Sequence, residues 1–208
     1  MNGLFITVEG IDGAGKTTQL RWLEDFFQRQ GRSVVTTREP GGTSLGEALR
    51  ALLLSPEQAM DPETETLLIF AARREHLARV ILPALDAAKV VLCDRFTDAT
   101  YAYQGNGRGV AHDRIRALEQ WVQGELQPDL TILFDVPVEL GQQRARSTRE
   151  ADRFERERVE FFEKVRQGYL QRAHQHASRF LVVDASAGTL DIQKVLEKRL
   201  VTHDFKME

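Results

Sequence analysis

The sequence predicts an α/β protein: a five-stranded parallel sheet with helices on both faces. Three observations predict it. Five short runs are mainly apolar or β-branched, helical stretches separate them, and several run directly into loops carrying Gly, Asp or Arg. Runs without polar alternation belong to strands covered on both sides. Ligands of such sheets sit outside the carboxyl ends of the strands.

The elements follow in order. Leu4–Val8 reads as a buried strand, Gly10–Gly15 as a turn, and a helix starts at Lys16 with Leu20, Leu23 and Phe27 at spacings of three and four. Ser33–Thr37 is the second strand, ended by Arg38-Glu39-Pro40-Gly41-Gly42, since Pro and Gly-Gly break both periodicities. Helices are expected over Thr43–Leu53 and Pro62–Ala87. Val90–Cys93 is the third strand, followed by a polar region with Gly105, Gly107 and Gly109 and a helix near His112–Gly124. Leu130–Asp135 is the fourth strand, and a helix from Val138 runs into an Arg-rich segment. Another helix spans Val159–His174, with Phe162, Val165 and Tyr169 on one face. Phe180–Val183 and a helix over Leu190–Val201 close the chain.

The 208 residues suffice for one domain, read as 1–208, with an ordinary 42% apolar and 28% charged composition. The formal charge of −3 gives no global basic field, so no nucleic-acid partner is expected. No stretch approaches 18 apolar residues, so no membrane span is expected. Cys93 is the lone cysteine and the N-terminus has no basic leader, so a cytoplasmic location is expected by default rather than from a positive signal. The five histidines show no metal-ligand spacing.

Gly10-Ile11-Asp12-Gly13-Ala14-Gly15-Lys16-Thr17 fits G-x-x-x-x-G-K-[ST] at every fixed position, with a strand before it and a helix after. Backbone N–H groups of such a loop turn inward around phosphate oxygens, and the helix N-terminus adds partial positive charge. Lys16 can reach the β- and γ-phosphates, and the Thr17 hydroxyl can ligate Mg²⁺. Asp94 and Asp135 each end an apolar strand and compete for the metal-side carboxylate. Asp94 is favoured because Arg95 follows it. The Asn-Lys-x-Asp guanine motif of GTPase switches is absent. A small-acceptor kinase fits this chain better than a motor.

Further motifs sharpen this. They are Thr18 after the phosphate loop, Thr37-Arg38-Glu39-Pro40-Gly41-Gly42-Thr43, Phe70-Ala71-Ala72-Arg73-Arg74, and Asp94-Arg95-Phe96 leading to Thr100 and Ala102-Tyr103-Gln104-Gly105. An Arg-rich stretch containing Asp152-Arg153 completes the set. With these the chain resembles the thymidylate kinases over nearly its whole length. The resemblance implies the three-layer P-loop fold of nucleoside monophosphate kinases, phosphorylation of dTMP by Mg²⁺–ATP toward dTTP synthesis, and a homodimer. Part of the Pro62–Ala87 helix would be the self-association face.

The resemblance also implies site roles. Gly10, Ile11, Asp12, Gly13, Ala14, Gly15, Lys16, Thr17 and Thr18 would bind ATP, and Thr17 with Asp94 the metal. Arg38 and Arg95 would hold the acceptor's 5′-phosphate, and Asp12 would approach its sugar or phosphate. Phe70 would stack on thymine, and Arg74, four residues on, would donate to thymine O4, leaving Arg73 at the surface. Thr100 and Gln104 would meet the base edge or deoxyribose, and Tyr103 would disfavour a 2′-hydroxyl. Ala99 departs from the family, which often has Ser there. Some members carry an Arg in the phosphate loop where this chain has Gly13. The transition-state arginine is therefore expected on a lid, residues 141–158: Arg153 first, with Arg149 and Arg146 as helpers. Lys16, Arg95, Arg149 and Arg153 form the expected catalytic set. Asp184–Gly188 would lie near the adenine. Two other readings stand beside this one: a kinase for another monophosphate, and a regulatory P-loop ATPase.

Overall fold

In the computed structural model, residues 3–146, 153–154 and 157–202 are described. The sheet has five parallel strands in the order β2-β3-β1-β4-β5: β1 Leu4–Glu9, β2 Val34–Arg38, β3 Val90–Asp94, β4 Leu130–Asp135 and β5 Phe180–Asp184. The helices are α1 Lys16–Arg29, α2 Ser44–Leu54, α3 Pro62–His76, α4 Leu82–Asp86, α5 Thr97–Thr100, α6 His112–Gln123, α7 Val138–Arg146, α8 Val159–Gln175 and α9 Thr189–Thr202. This is the five-stranded parallel α/β sheet that the apolar runs predict.

Burial explains the strand compositions. All of β1 is buried, whereas the edge strand β2 carries two threonines and ends in exposed Arg38. The main core cluster packs α1, α8 and α9 against the sheet, and a second, built on Phe5, Phe70, Val91 and Phe96, packs α3, α4 and α6. Register then sets the functional edge. Val8 and Arg38 both pair with Asp94, so three strand ends come side by side next to the loop that follows β1.

Two segments differ from expectation. The single helix expected over Pro62–Ala87 begins as read, with Asp61 capping the N–H groups of Glu63 and Thr64. It then widens into a π-helical stretch at Leu77–Ile81 before α4. Pro83 has no N–H to continue a regular ladder there. The polar region after β3 is helical: α5 runs into a π-helix, Tyr101–Gly107. Its glycines read as loop signals, but they serve close packing. A Cβ on Gly107 would come 2.6 Å from the Phe161 ring of α8.

Candidate active site

The loop after β1 wraps the mouth of a wide cleft lined by Asp12 through Gln19. Lys16 Nζ lies at its floor, 3.0 Å from both Gly10 O and Ile11 O. Burial lowers the Lys16 pKa, and Arg95 lowers it further. Gly13 has φ 78°, and a Cβ there would collide with the carbonyl of Gly141 on α7. A side chain at this position would displace that helix. An arginine in the loop is therefore incompatible with the way α7 packs. The far wall of the cleft is Arg144 with Ala185, Ala187, Thr189 and Ile192, and Arg144 Nη1 donates to Ala185 O at 2.8 Å. Ala185 and Ala187 of this wall belong to the Asp184–Gly188 segment expected to lie near the adenine.

The rival acids at the strand ends separate cleanly. Asp135 is gripped by Arg166 at 2.7 and 2.9 Å. Asp94 lines the cleft with Thr17, and its buried Oδ1 has no hydrogen-bond partner among the described residues. No cluster of three His, Cys, Asp or Glu side chains is found among the described residues. A cation here would rest on one carboxylate and one hydroxyl, with phosphate and water oxygens completing its shell. That is how Mg²⁺ is commonly held.

Arg95 has φ 70° and stands where two clefts meet. Its Nη2 donates to Asp12 Oδ1 at 2.8 Å and its Nη1 to Tyr169 Oη at 3.1 Å, while the guanidinium lies 4.8 Å over the Tyr103 ring. Behind it, Tyr169 donates to Glu9 at 2.8 Å, and the Phe96 N–H donates to the other Glu9 oxygen at 2.7 Å. Burial, reinforced by Asp98, pushes the Glu9 carboxyl up to about 8. Arg50, donating to Pro40 O at 2.9 Å, lines both clefts beside Arg95, and Arg38 lines the wide one. Burial lowers the Arg50 pKa, and its cationic neighbours Arg38 and Arg95 lower it further. Three guanidiniums so placed form an anion site.

The second cleft opens from that cluster between α2, α3 and the helix after β3. Ile69 and Arg73 form one wall, Phe96, Ala99, Thr100, Tyr103 and Gln104 another, and Leu53, Leu54 and Phe154 the rim. Arg73 is 1% exposed. Its Nε donates to Glu39 at 2.7 Å and its Nη2 to Thr100 Oγ1 at 3.0 Å, leaving Nη1 buried without a partner among the described residues. Gln104 Nε2 donates to buried Glu65 at 2.8 Å, which turns the amide oxygen of Gln104 the other way. The two clefts share Asp12, Glu39, Arg50 and Arg95.

The thymidylate kinase family model matches residues 8–196. The chain belongs to the thymidylate kinase family. It is 62% identical over 203 residues to the thymidylate kinase of Nitrosomonas europaea, covering 98% of this chain and 94% of that protein. It is 56% identical to that of Pseudomonas syringae pv. tomato, covering 96% of each. The crystal structure of thymidylate kinase from Ehrlichia chaffeensis superposes with a TM-score of 0.77 at 36% identity, covering 95% of this chain and 99% of that one.

Within this thymidylate kinase fold, most of the expected residues gather as read. Asp12, Arg95, Thr100, Tyr103 and Gln104 line the second cleft, and Lys16, Thr17, Thr18, Arg38 and Asp94 the wide one. Two do not. Phe70 turns into the core beside Phe5 and Phe96, and Arg74 is exposed, its Nη1 3.3 Å from Val122 O on α6. The cleft wall is one residue earlier on each count, Ile69 and Arg73. A large aromatic gains more by burial against the sheet than at the edge of a cleft. Arg73, expected at the surface, is the buried one.

Arg153 is also placed differently. Its Nε donates to Leu53 O at 2.8 Å and its Nη2 to Glu65 at 2.5 Å, on the rim of the second cleft. The buried Glu65 carboxylate demands a cation, and Arg153 supplies it. Among the described residues of the 141–158 segment, Arg144 is the arginine that lines the wide cleft. Arg149 lies outside the described residues, as does the side chain of Arg146. Sequence reasoning did not single out Ile69, Arg50, Glu39 or Glu65. Glu65, Ile69 and Arg73 recur every four residues, a one-face stripe that could have found three contributors.

Proposed function

We propose that the wide cleft takes ATP, the second cleft takes dTMP, and the phosphoryl group passes between them at Asp12, Arg50 and Arg95. The chain is an ATP-dependent nucleoside monophosphate kinase that converts dTMP to dTDP. The observation that carries the site reading is the wall shared by the two clefts.

The donor's phosphates would lie in the loop Gly10–Thr18, with Lys16 at the β- and γ-groups. Thr17 and Asp94 would hold Mg²⁺, which supplies charge neutralisation on the phosphates. Arg95, Arg50 and Arg38 would grip the acceptor phosphate. An oxygen of that phosphate is already ionised near neutral pH, so no general base is needed to create the nucleophile. Negative charge spreading over the transferred group would meet Lys16, Arg95 and Arg144. Closure of the 141–158 segment would exclude water.

Base selection follows from two locked side chains. Thymine presents an acceptor at O4 and an N–H at N3; cytosine presents an amino donor and a bare nitrogen. Arg73 Nη1 offers a donor, and the Gln104 amide oxygen offers an acceptor. Cytosine would face both with the wrong partner, leaving buried groups unpaired. Tyr103 would crowd a 2′-hydroxyl.

We further propose that residues 1–208 act as one domain in the cytoplasm, consistent with the lone buried Cys93. No helix among the described residues is long and apolar enough to cross a membrane. Exposed Leu45 and Leu52 on α2, Leu67 on α3 and Trp121 on α6, the last 83% exposed, support a homodimer through that face. Light scattering at low concentration tests the dimer.

ADP release measured with dTMP, dUMP, dCMP, AMP and GMP tests the function. dTMP is expected to exceed dCMP and the purines by about 10²-fold or more in kcat/KM. Equal turnover of dCMP contradicts the base-selection reading.

A further inference from the structure

The roles above leave Thr37, Glu39 and Gly42 of the Thr37–Thr43 segment unexplained, together with His76, which is fully buried. These four meet at one point. His76 Nδ1 donates to Glu39 Oε1 at 3.0 Å, while the other Glu39 oxygen takes Arg73 Nε at 2.7 Å. On the far edge of the imidazole, Nε2 lies 2.7 Å from Thr37 Oγ1. With Nδ1 donating to the carboxylate, the second ring nitrogen is left to pair with the Thr37 hydroxyl. Gly42, with φ 77°, closes the last side: a Cβ on it would come 2.6 Å from both His76 Cδ2 and Thr37 Oγ1. The loop backbone therefore packs directly on the ring.

We propose that His76 is a positioning residue for acceptor-base choice, holding Glu39 so that Arg73 presents Nη1 to the base. This rests on the reading of Arg73 as the base's donor. The need for such a device follows from the packing around Arg73. Its Cζ lies 4.7 Å over the Phe70 ring and 5.1 Å over the Phe96 ring. Rings on the faces of a guanidinium resist tilt but not rotation within its plane. In-plane rotation is fixed by directional bonds at its edge, here Glu39 at Nε and Thr100 at Nη2. A carboxylate is itself a rotor. Glu39 has one oxygen on Arg73, and the other is held only if His76 donates to it. His76 in turn is held in its ring orientation by the Thr37 hydroxyl bonded to its other nitrogen.

The experiment compares kcat/KM for dTMP and dCMP in His76→Phe, His76→Asn and Arg73→Ala, with KM for ATP and melting temperature measured alongside. His76→Phe keeps a planar ring and removes both bonds; the dTMP-over-dCMP ratio is expected to fall roughly tenfold, with KM for ATP unchanged. His76→Asn retains an amide N–H near the position of Nδ1 and is expected to restore most of the ratio. A role in stability alone would lower the melting temperature and leave the ratio intact, which overturns the proposal. If Arg73→Ala collapses the ratio while His76→Phe does not, the His76 relay is wrong and the Arg73 reading stands. If Arg73→Ala leaves the ratio unchanged, the Arg73 reading fails and the relay with it. Should His76→Phe not fold, Thr37→Val, which keeps volume and removes the hydroxyl, carries the same test. Its expected loss of ratio is about threefold, and an unchanged ratio overturns the relay.

Discussion

The two clefts, proposed as the donor half and the acceptor half of the active site, are built from different materials. The donor half is mostly main chain: a loop of consecutive residues, a helix N-terminus, and a lysine resting on two carbonyls. The acceptor half is side chain throughout. The two groups proposed to read the base, the Arg73 donor and the Gln104 acceptor, are each held by a buried carboxylate, Arg73 by Glu39 and Gln104 by Glu65. A main-chain cradle grips phosphates, which nucleoside triphosphates have in common. Clamped side chains discriminate between bases, because a wrong partner cannot be accommodated by a swing of the donor.

Substitutions can break or sharpen this contrast. The largest expected effect is in the donor half. Lys16→Ala should lower kcat about a thousandfold while dTMP binding, measured by calorimetry, persists. Retained turnover would remove Lys16 from the chemistry. The adjacent arginines of α3 come next. Arg73→Ala should lower kcat/KM for dTMP about a hundredfold, whereas Arg74→Ala should stay within about twofold. The reverse order would restore the register read from sequence alone.

Arg153 tests which half owns the 141–158 segment. Bonded to Leu53 O and Glu65, it belongs to the acceptor side. Arg153→Ala should raise KM for dTMP roughly tenfold with a smaller change in kcat. A large fall in kcat at unchanged KM would return it to the transition state.

The smallest effect concerns the buried support behind Arg95. Burial raises the Glu9 carboxyl from 4.5 to about 8. A carboxyl raised on folding contributes its full stability below 4.5 and loses it as pH rises through 8, because the folded state then holds the extra proton. Across that window wild type should lose stability relative to Glu9→Gln, read as a falling difference in melting temperature as pH rises. The difference should be flat above it. A difference that grows in favour of wild type with rising pH would contradict the assigned direction.

The same contrast decides what could be read in the sequence. The phosphate loop was fully legible because its residues are consecutive and lie between a strand and a helix. The strands were legible to within a residue because apolar runs on a parallel sheet do not alternate. Asp94 was separable from Asp135 through the arginine that follows it. The acceptor half was harder, since it is assembled from α2, α3 and the helix after β3. Spacing of four fits Ile69 with Arg73 as well as Phe70 with Arg74. Only burial, which sends the aromatic to the core, chooses between them. Glu39, Glu65 and His76 were invisible because a lone acid or imidazole gives no sign of being buried until its partner is placed. Gly105 and Gly107 read as a loop because their reason, the approach of His112 and Phe161, is tertiary.

The account depends on one junction, where Asp12, Arg50 and Arg95 belong to both clefts. Its most direct test is calorimetric binding of a bisubstrate ligand, adenosine joined to thymidine through a polyphosphate chain, followed by competition with ATP and with dTMP. One ligand bound per chain, displaced by either substrate and binding more tightly than each alone, is the predicted result. A ligand displaced by only one of the two would mean that the clefts do not meet where phosphoryl transfer requires.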